Sequence, residues 1–76
     1  MTQQSQTAPI IYTHPDCAFS GAAKMDFRRR KVQYLEINVA KEPDKIPDLL
    51  ELTKGERITP VIVDNGQVTI GFKGGY

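Results

Sequence analysis

One cysteine and one serine in the segment THPDCAFSGAAK, residues 13–24, have a spacing that could support thiol chemistry. Cys17 is the only cysteine in the chain, and Ser20 stands three positions later, where a C-x-x-C redox motif has its second sulfur. The thiolate is the nucleophile in disulfide exchange, so a reactive cysteine needs a lowered pKa. The alternative is a structural cysteine, because free cysteine is among the most buried residue types.

A helix is predicted directly after the His-Pro-Asp turn that precedes the cysteine. Asp16 is a candidate N-cap, and the alanines that follow favour a helix. Phe19, Ala23 and Phe27 have the spacing i, i+4, i+8, which places them on one helix face. The helix is expected to end in the basic run at residues 28–31, since cations are favourable at a helix C-terminus.

This helix would hold Cys17 in its first turn, where unpaired N–H groups and the helix dipole favour an anion. Ser20 lies one turn further on, and its hydroxyl could donate a hydrogen bond to the sulfur. Lys24, another turn on, and His14, three residues before the cysteine, could add positive charge. Ser20 is equally compatible with an ordinary serine near a helix N-terminus.

Strands and a second helix surround this segment. IIYT (residues 10–13) and VQYLEINV (residues 32–39) are rich in β-formers and predict two strands. KEPDK (residues 41–45) opens a second predicted helix, with an inward stripe of Ile46, Leu49, Leu50 and Thr53. VIVDNGQVTIGF (residues 61–72) predicts a hairpin around Asn65-Gly66. The order β-α-β-α-β-β indicates an α/β fold with a parallel first strand pair, an antiparallel last pair and a mixed four-stranded sheet.

Composition limits the classes of protein to which the chain can belong. Its 76 residues make one domain. Ten basic and nine acidic residues give a net charge of +1, which argues against a nucleic-acid binder. No apolar run approaches the roughly 18 residues of a membrane span. One cysteine cannot form an internal disulfide, and with His14 as the only histidine we expect no metal site.

The first residues differ in composition from the rest. Residues 1–8 are rich in Gln, Ser and Thr and predict a disordered tail before a domain at residues 9–76. This start lacks the basic and apolar regions of a secretory signal. Together with the free thiol, it indicates the reducing cytoplasm.

The order of elements, with a cysteine at the first strand-to-helix junction, resembles the glutaredoxin branch of the thioredoxin superfamily over residues 9–72. IIYTHPDCAFSGAAK is similar to the family's first strand, active-site loop and first helix, and ITPVIV, residues 58–63, to its Thr-Val-Pro segment. CAFS differs by one residue from the Cys-Gly-Phe-Ser of monothiol glutaredoxins. GFKGG, residues 71–75, resembles the Gly-Phe-Arg-Pro stretch of NrdH-type redoxins. A small bacterial glutaredoxin-like group that often carries selenocysteine ends similarly.

The resemblance implies a thioredoxin-like fold. Relatives continue into a final helix, whereas this chain stops at Tyr76, so we expect that helix to be short or missing. Dimerisation could replace it, so that a monomer and a weak dimer both remain open.

The resemblance also implies that Pro60 is a cis proline. It would hold the Thr59 backbone beside Cys17, where that backbone pairs with an extended peptide such as glutathione. The alternative is a proline that only starts an edge strand.

Four further positions are implied to bind substrate. His14 falls where many glutaredoxins carry a lysine that contacts the glycine carboxylate of glutathione, and Arg57 could bind the same group through its fork. A turn residue and a solvated loop charge are the respective alternatives. Tyr12 and Phe19 could line the groove, Phe19 exposed to substrate, although packing in the first strand accounts for Tyr12 equally well.

The implied function is that of a monothiol glutaredoxin-like thiol-disulfide oxidoreductase. Cys17 would attack a glutathione or protein mixed disulfide, and because Ser20 cannot form a second disulfide, an external thiol would finish the cycle. Glutathione would be the co-substrate, or another low-molecular-weight thiol. The family's acidic residue that takes the γ-glutamyl amine should fall near Gly74-Gly75, where this chain has glycine.

Two other functions stay open. CAFS is compatible with an iron–sulfur carrier in which two Cys17 thiolates and two glutathiones hold a 2Fe–2S cluster between subunits. The domain could also be a redox-inactive thioredoxin-fold adaptor, with Cys17 inert.

Overall fold

The structure, a computed structural model, describes residues 8–76. The predicted disordered tail, apart from Ala8, lies outside the described residues. The order of elements is the predicted β-α-β-α-β-β, with a short 3-10 helix at Pro43–Lys45 ahead of the second α-helix. The strands and α-helices are β1 (Ile10–Thr13), α1 (Ala18–Arg29), β2 (Leu35–Asn38), α2 (Ile46–Thr53), β3 (Val61–Asp64) and β4 (Gln67–Ile70).

The four strands form one mixed sheet in the order β2-β1-β3-β4. β1 and β2 are parallel, while β3 pairs antiparallel with both β1 and β4. The β3–β4 pairing closes at Asp64 and Gln67 around the predicted Asn65-Gly66 turn. Asn65 and Gly66 have φ angles of 52° and 83°, the positive values that a tight hairpin turn of this kind requires.

The second strand is shorter than predicted, because it begins at Leu35 and not at residue 32. After α1 the chain reverses at Lys31, which has a φ of 59°, and the Val32 N–H donates to the Phe27 carbonyl at 2.8 Å. Pairing with the first strand starts only where the Leu35 N–H reaches the Pro9 carbonyl at 2.8 Å. The β-forming residues before Leu35 therefore have no partner strand.

The sheet has a small apolar cluster on each face. Tyr12, Val39, Leu49 and Val61 are buried in the cluster that contacts α2. In the predicted stripe of α2, Leu49 and Thr53 are buried, Ile46 packs against this cluster, and Leu50 is only half-buried. The α1 cluster contains Ile11, Ala23 and Phe27.

The described chain after β4 forms a tight turn and no further helix, as expected from the sequence. The Phe72 N–H donates to the Gly75 carbonyl at 2.7 Å, and the Gly75 N–H donates back to Phe72 at 2.9 Å. Among the helices of residues 8–76, none is long and apolar enough to cross a membrane.

Candidate functional site

The nucleophile candidate lies at the N-cap of α1. Cys17 has extended backbone angles, φ −100° and ψ 109°, and its carbonyl accepts the Ser20 N–H at 3.1 Å. The Cys17 N–H donates to the His14 carbonyl at 3.0 Å, which closes the turn before the helix. The prediction that Asp16 caps the helix was wrong, because the helix begins one residue later. The Asp16 N–H instead donates to His14 Nδ1 at 3.1 Å.

A second loop, 42 residues further along the chain, faces the cysteine. The Thr59-Pro60 peptide bond is cis, as predicted, and the Cys17 thiol donates to the Thr59 carbonyl oxygen at 3.2 Å. Pro60 is fully buried and precedes β3, which is an interior strand, so the edge-strand alternative was wrong. The Thr59 backbone therefore lies beside the sulfur.

The pKa of Cys17 lies below its ordinary value. Burial is the largest single influence and raises this pKa. Four hydrogen bonds together outweigh it, from the Ser20 side chain, the Thr59 side chain and the backbone N–H groups of Ser20 and Phe19. The contact with the Thr59 carbonyl acts in the other direction, since only the neutral thiol can donate to it. The net result favours the thiolate, as the helix-start position predicted.

Ser20 has a structural role as well as an electrostatic one. It is 1% exposed, and its hydroxyl oxygen accepts the His14 N–H at 3.3 Å. The two alternatives considered for Ser20 are therefore compatible, because one hydroxyl both secures the turn before α1 and lowers the pKa of the neighbouring thiol.

An open groove of about 500 Å3 lies beside the sulfur. Four of the predicted substrate-binding residues line it together with Cys17, namely His14, Phe19, Arg57 and Thr59. Phe19 is 42% exposed, as the resemblance implied, and Arg57 is exposed as well. The groove thus combines a thiol, a strand-like backbone edge, basic side chains and an aromatic ring.

The comparisons with known proteins agree with this geometry. The family model named glutaredoxin matches residues 10–69, which include both loops of the site. The chain belongs to the glutaredoxin family. Among curated proteins, no sequence match was found.

Solved structures of related proteins have the same fold as this glutaredoxin-family chain. The glutaredoxin-like protein NrdH-redoxin from Escherichia coli, described as having a thioredoxin-like activity profile, is 28% identical with a TM-score of 0.76, covering 88% of this chain and 86% of that one. The thioredoxin-like protein BC3987 is 31% identical with a TM-score of 0.75, covering 86% of this chain and 88% of its own. A mutant of BC3987 is 29% identical with a TM-score of 0.75, covering 86% of each chain.

Two residues predicted to belong to the site, Lys24 as a positive charge and substrate contact and Tyr12 as groove lining, lie elsewhere in this glutaredoxin domain. Lys24 does not line the groove and is not among the groups that lower the pKa of Cys17, because its Nζ is paired with Glu36 at 2.9 Å. Glu36 also accepts the Thr13 hydroxyl at 2.7 Å, which ties α1 to the first two strands. Tyr12 is only 7% exposed in the α2 cluster, so its packing alternative is confirmed.

The sequence reasoning also missed residues that line the groove. Ile58 stands immediately before Thr59, so the loop that was recognised already contained it. Tyr76 was considered only as the end of the chain, yet it lines the groove. The sequence feature that could have predicted the position of Tyr76 is the three glycines within residues 71–75, since glycine-rich segments form the tight turns that reverse a chain.

No group of three or more His, Cys, Asp and Glu side chains that could hold a metal ion occurs within residues 8–76.

Proposed function

We propose that this glutaredoxin-family domain is a monothiol thiol-disulfide oxidoreductase with the Cys17 thiolate as its nucleophile. The observation that supports it best is the Cys17 sulfur at the start of α1, with a lowered pKa, 3.2 Å from the Thr59 carbonyl at the edge of an open groove. A structural cysteine needs neither an open groove nor donors that favour its anion.

The reaction has two exchange steps in this proposal. The Cys17 thiolate attacks one sulfur of a disulfide, the bond between the two substrate sulfurs breaks, and the leaving thiolate takes a proton from solvent. A mixed disulfide on Cys17 remains. An external thiolate then attacks the substrate sulfur of that mixed disulfide and releases Cys17 as thiolate. In sum, one external thiol is consumed, one substrate thiol is released, and the other substrate sulfur leaves in a disulfide with the external thiol. A second equivalent of external thiol then frees that sulfur and forms the disulfide of the two external thiols.

Ser20 determines that the cycle uses one protein thiol. Its hydroxyl occupies the position of a resolving cysteine, and a hydroxyl cannot displace a thiolate from a disulfide under these conditions. Its contribution is to lower the pKa of Cys17, so that more of the nucleophile is in the thiolate form at neutral pH.

Binding would use the remaining groups of the groove. The Thr59 backbone offers a strand-like edge to an extended peptide. Arg57 offers positive charge and its hydrogen-bond fork to a carboxylate, and His14, whose Nδ1 accepts the Asp16 N–H, has its other ring nitrogen left to donate. We propose protein disulfides and glutathione, or another low-molecular-weight thiol, as reaction partners in a reducing cytoplasm, where a free catalytic thiol is maintained.

The test is mass spectrometry after incubation with oxidised glutathione. We expect one glutathione adduct on the wild-type protein, none on Cys17→Ser, and loss of the adduct when a second thiol is added. Ser20→Cys is the matched control for the monothiol cycle, since its new thiol should displace glutathione internally and leave an intramolecular disulfide. An alkylation midpoint at or above the free-thiol pKa of about 8.5, with no adduct on the wild type, would contradict the proposal.

A further inference from the structure

The segment after β4, residues 71–76, returns to the active site. Within it, Lys73 and Gly74 have φ angles of 51° and 82°, and the Phe72–Gly75 hydrogen bonds close a tight turn around them. We refer to residues 71–76 as the returning segment.

Two attachments hold the returning segment against the rest of the domain. The Gly71 N–H donates to the Pro60 carbonyl at 2.7 Å, which joins the segment to the loop that faces Cys17. The Phe72 side chain packs against the buried cluster beneath α1. The segment is therefore connected to the Thr59–Pro60 loop and to the cluster beneath α1, and its position is tied to both.

The returning segment contacts the groove through a glycine and an aromatic ring. A Cβ added to Gly75 would collide with the Phe19 ring, so the bare glycine backbone packs directly on that ring. A Cβ added to Gly71 would lie 2.9 Å from Tyr76 Cδ2. Because a side chain at Gly75 would displace the Phe19 ring, and one at Gly71 would displace the Gly75 carbonyl and the Tyr76 ring, both glycines are needed for this arrangement.

The result is a pair of exposed aromatic side chains in one groove, next to the nucleophile. Phe19 is 42% exposed and Tyr76 is 68% exposed, and both line the groove that contains Cys17. Exposed aromatic rings gathered at one concave site typically contact a ligand. Ile58 on the opposite loop adds further apolar surface to the same groove.

We propose that Phe19, Gly75 and Tyr76 form an apolar wall that makes the domain selective for peptide disulfides with an apolar side chain flanking the reacting cysteine. This inference rests on the proposed oxidoreductase function. An extended peptide paired with the Thr59 backbone projects its side chains to both sides of its own axis. An apolar side chain flanking the substrate cysteine can then lie on the wall. Glutathione has no apolar side chain beside its cysteine and gains nothing from it.

The magnitude follows from the area that such a contact removes from water. Burial of about half of a leucine side chain against two exposed rings, at roughly 25 cal/mol per Å2, corresponds to an increase in kcat/KM of about five- to tenfold.

The test compares two peptide mixed disulfides that share one leaving thiol, one with leucine and one with glycine on each side of the cysteine. The measured quantity is the ratio of their kcat/KM values with a fixed external thiol. The wild type should prefer the leucine peptide by about five- to tenfold, and Tyr76→Ala should bring the ratio below about twofold. Tyr76→Phe, which keeps the ring, should retain the preference. Lys73→Ala, an exposed change in the same turn that does not line the groove, should also retain it.

Gly75→Ala is a second variant that tests the apolar wall. The added methyl group would collide with Phe19 and displace the wall, so this variant should also lose the preference. Equal rates for the two peptides in the wild type, or a preference that survives Tyr76→Ala, would overturn the apolar wall while the proposed oxidoreductase function stands. Failure of the wild type to reduce either peptide or oxidised glutathione would overturn the proposed function and the selectivity with it.

Discussion

Replacing Ser20 with alanine would measure how much one hydroxyl contributes to the reactivity of Cys17. The Ser20 side chain is the largest of the groups that lower the pKa of that thiol. A hydrogen bond to a charged group contributes about 1.5 kcal/mol at the low end of the usual range, which applies because Cys17 is only partly buried. One pKa unit corresponds to about 1.36 kcal/mol. Ser20→Ala should therefore raise the pKa of Cys17 by about one unit.

The assay is the rate of alkylation by a small haloacetamide as a function of pH. The midpoint should move up by about one unit in Ser20→Ala. Because the intrinsic nucleophilicity of a thiolate rises with its pKa, the plateau rate at high pH should increase about threefold. Below both midpoints, the smaller thiolate fraction outweighs this gain, and the rate should fall about threefold. Opposite changes at high and low pH distinguish a pKa effect from a general loss of reactivity.

Ser20→Thr is the matched control, since it keeps the hydroxyl and should leave the midpoint within a few tenths of the wild-type value. Urea unfolding is needed beside the assay, because Ser20→Ala also removes the acceptor of the His14 N–H and should cost about 1 kcal/mol. A cooperatively folded Ser20→Ala protein with an unchanged midpoint would refute the role assigned to the hydroxyl.

Three further predictions concern stability. Leu49 is 1% exposed, so Leu49→Ala should lower the free energy of unfolding in urea by about 2–5 kcal/mol; a loss below about 1 kcal/mol would contradict its place in the core. Burial raises the pKa of Glu36, but hydrogen bonds led by that of Thr13 bring it below its usual value. The stability it adds is present above the unfolded-state pKa of about 4.3 and is lost as pH falls through the folded value, so the deficit of Glu36→Gln should shrink in acid rather than stay constant. Burial and then Asp48 raise the pKa of Tyr12, so unfolding free energy should decline above about pH 10 in the wild type and less in Tyr12→Phe; parallel declines would oppose this.

Local patterns in the sequence predicted most of the fold. The Asn65-Gly66 pair allowed the hairpin to be predicted, because few dipeptides accept positive φ at both positions. The spacing of Phe19, Ala23 and Phe27 predicted one face of α1, of which Ala23 and Phe27 are buried and Phe19 is exposed in the groove. β2 was predicted three residues too early, since β-propensity says nothing about where the partner strand begins.

Most of the site was also predicted, either from a local motif or from the resemblance to glutaredoxins. Cys17 and Ser20 belong to one local motif, so their relation depends only on a helix start. Thr59 and Pro60 were placed opposite Cys17 through the resemblance to glutaredoxins, and the cis bond and the 3.2 Å contact agree with that placement. The prediction that Lys24 acts near Cys17 rested on its spacing along α1 alone. The structure pairs its Nζ with Glu36, a residue of β2 that helix spacing could not reveal.

The sequence alone therefore determined the order of the elements and the position of the thiol at a helix start, because capping, periodicity and turn chemistry act over a few neighbouring residues. Only the tertiary structure decided which distant side chains share the groove. Lys24 lies outside the groove because it pairs with Glu36, and Tyr12 lies outside it because it packs in the core. Tyr76 lines the groove because Gly75 packs directly against the Phe19 ring. Such contacts depend on strand register and on the space between packed elements, which no short stretch of sequence contains.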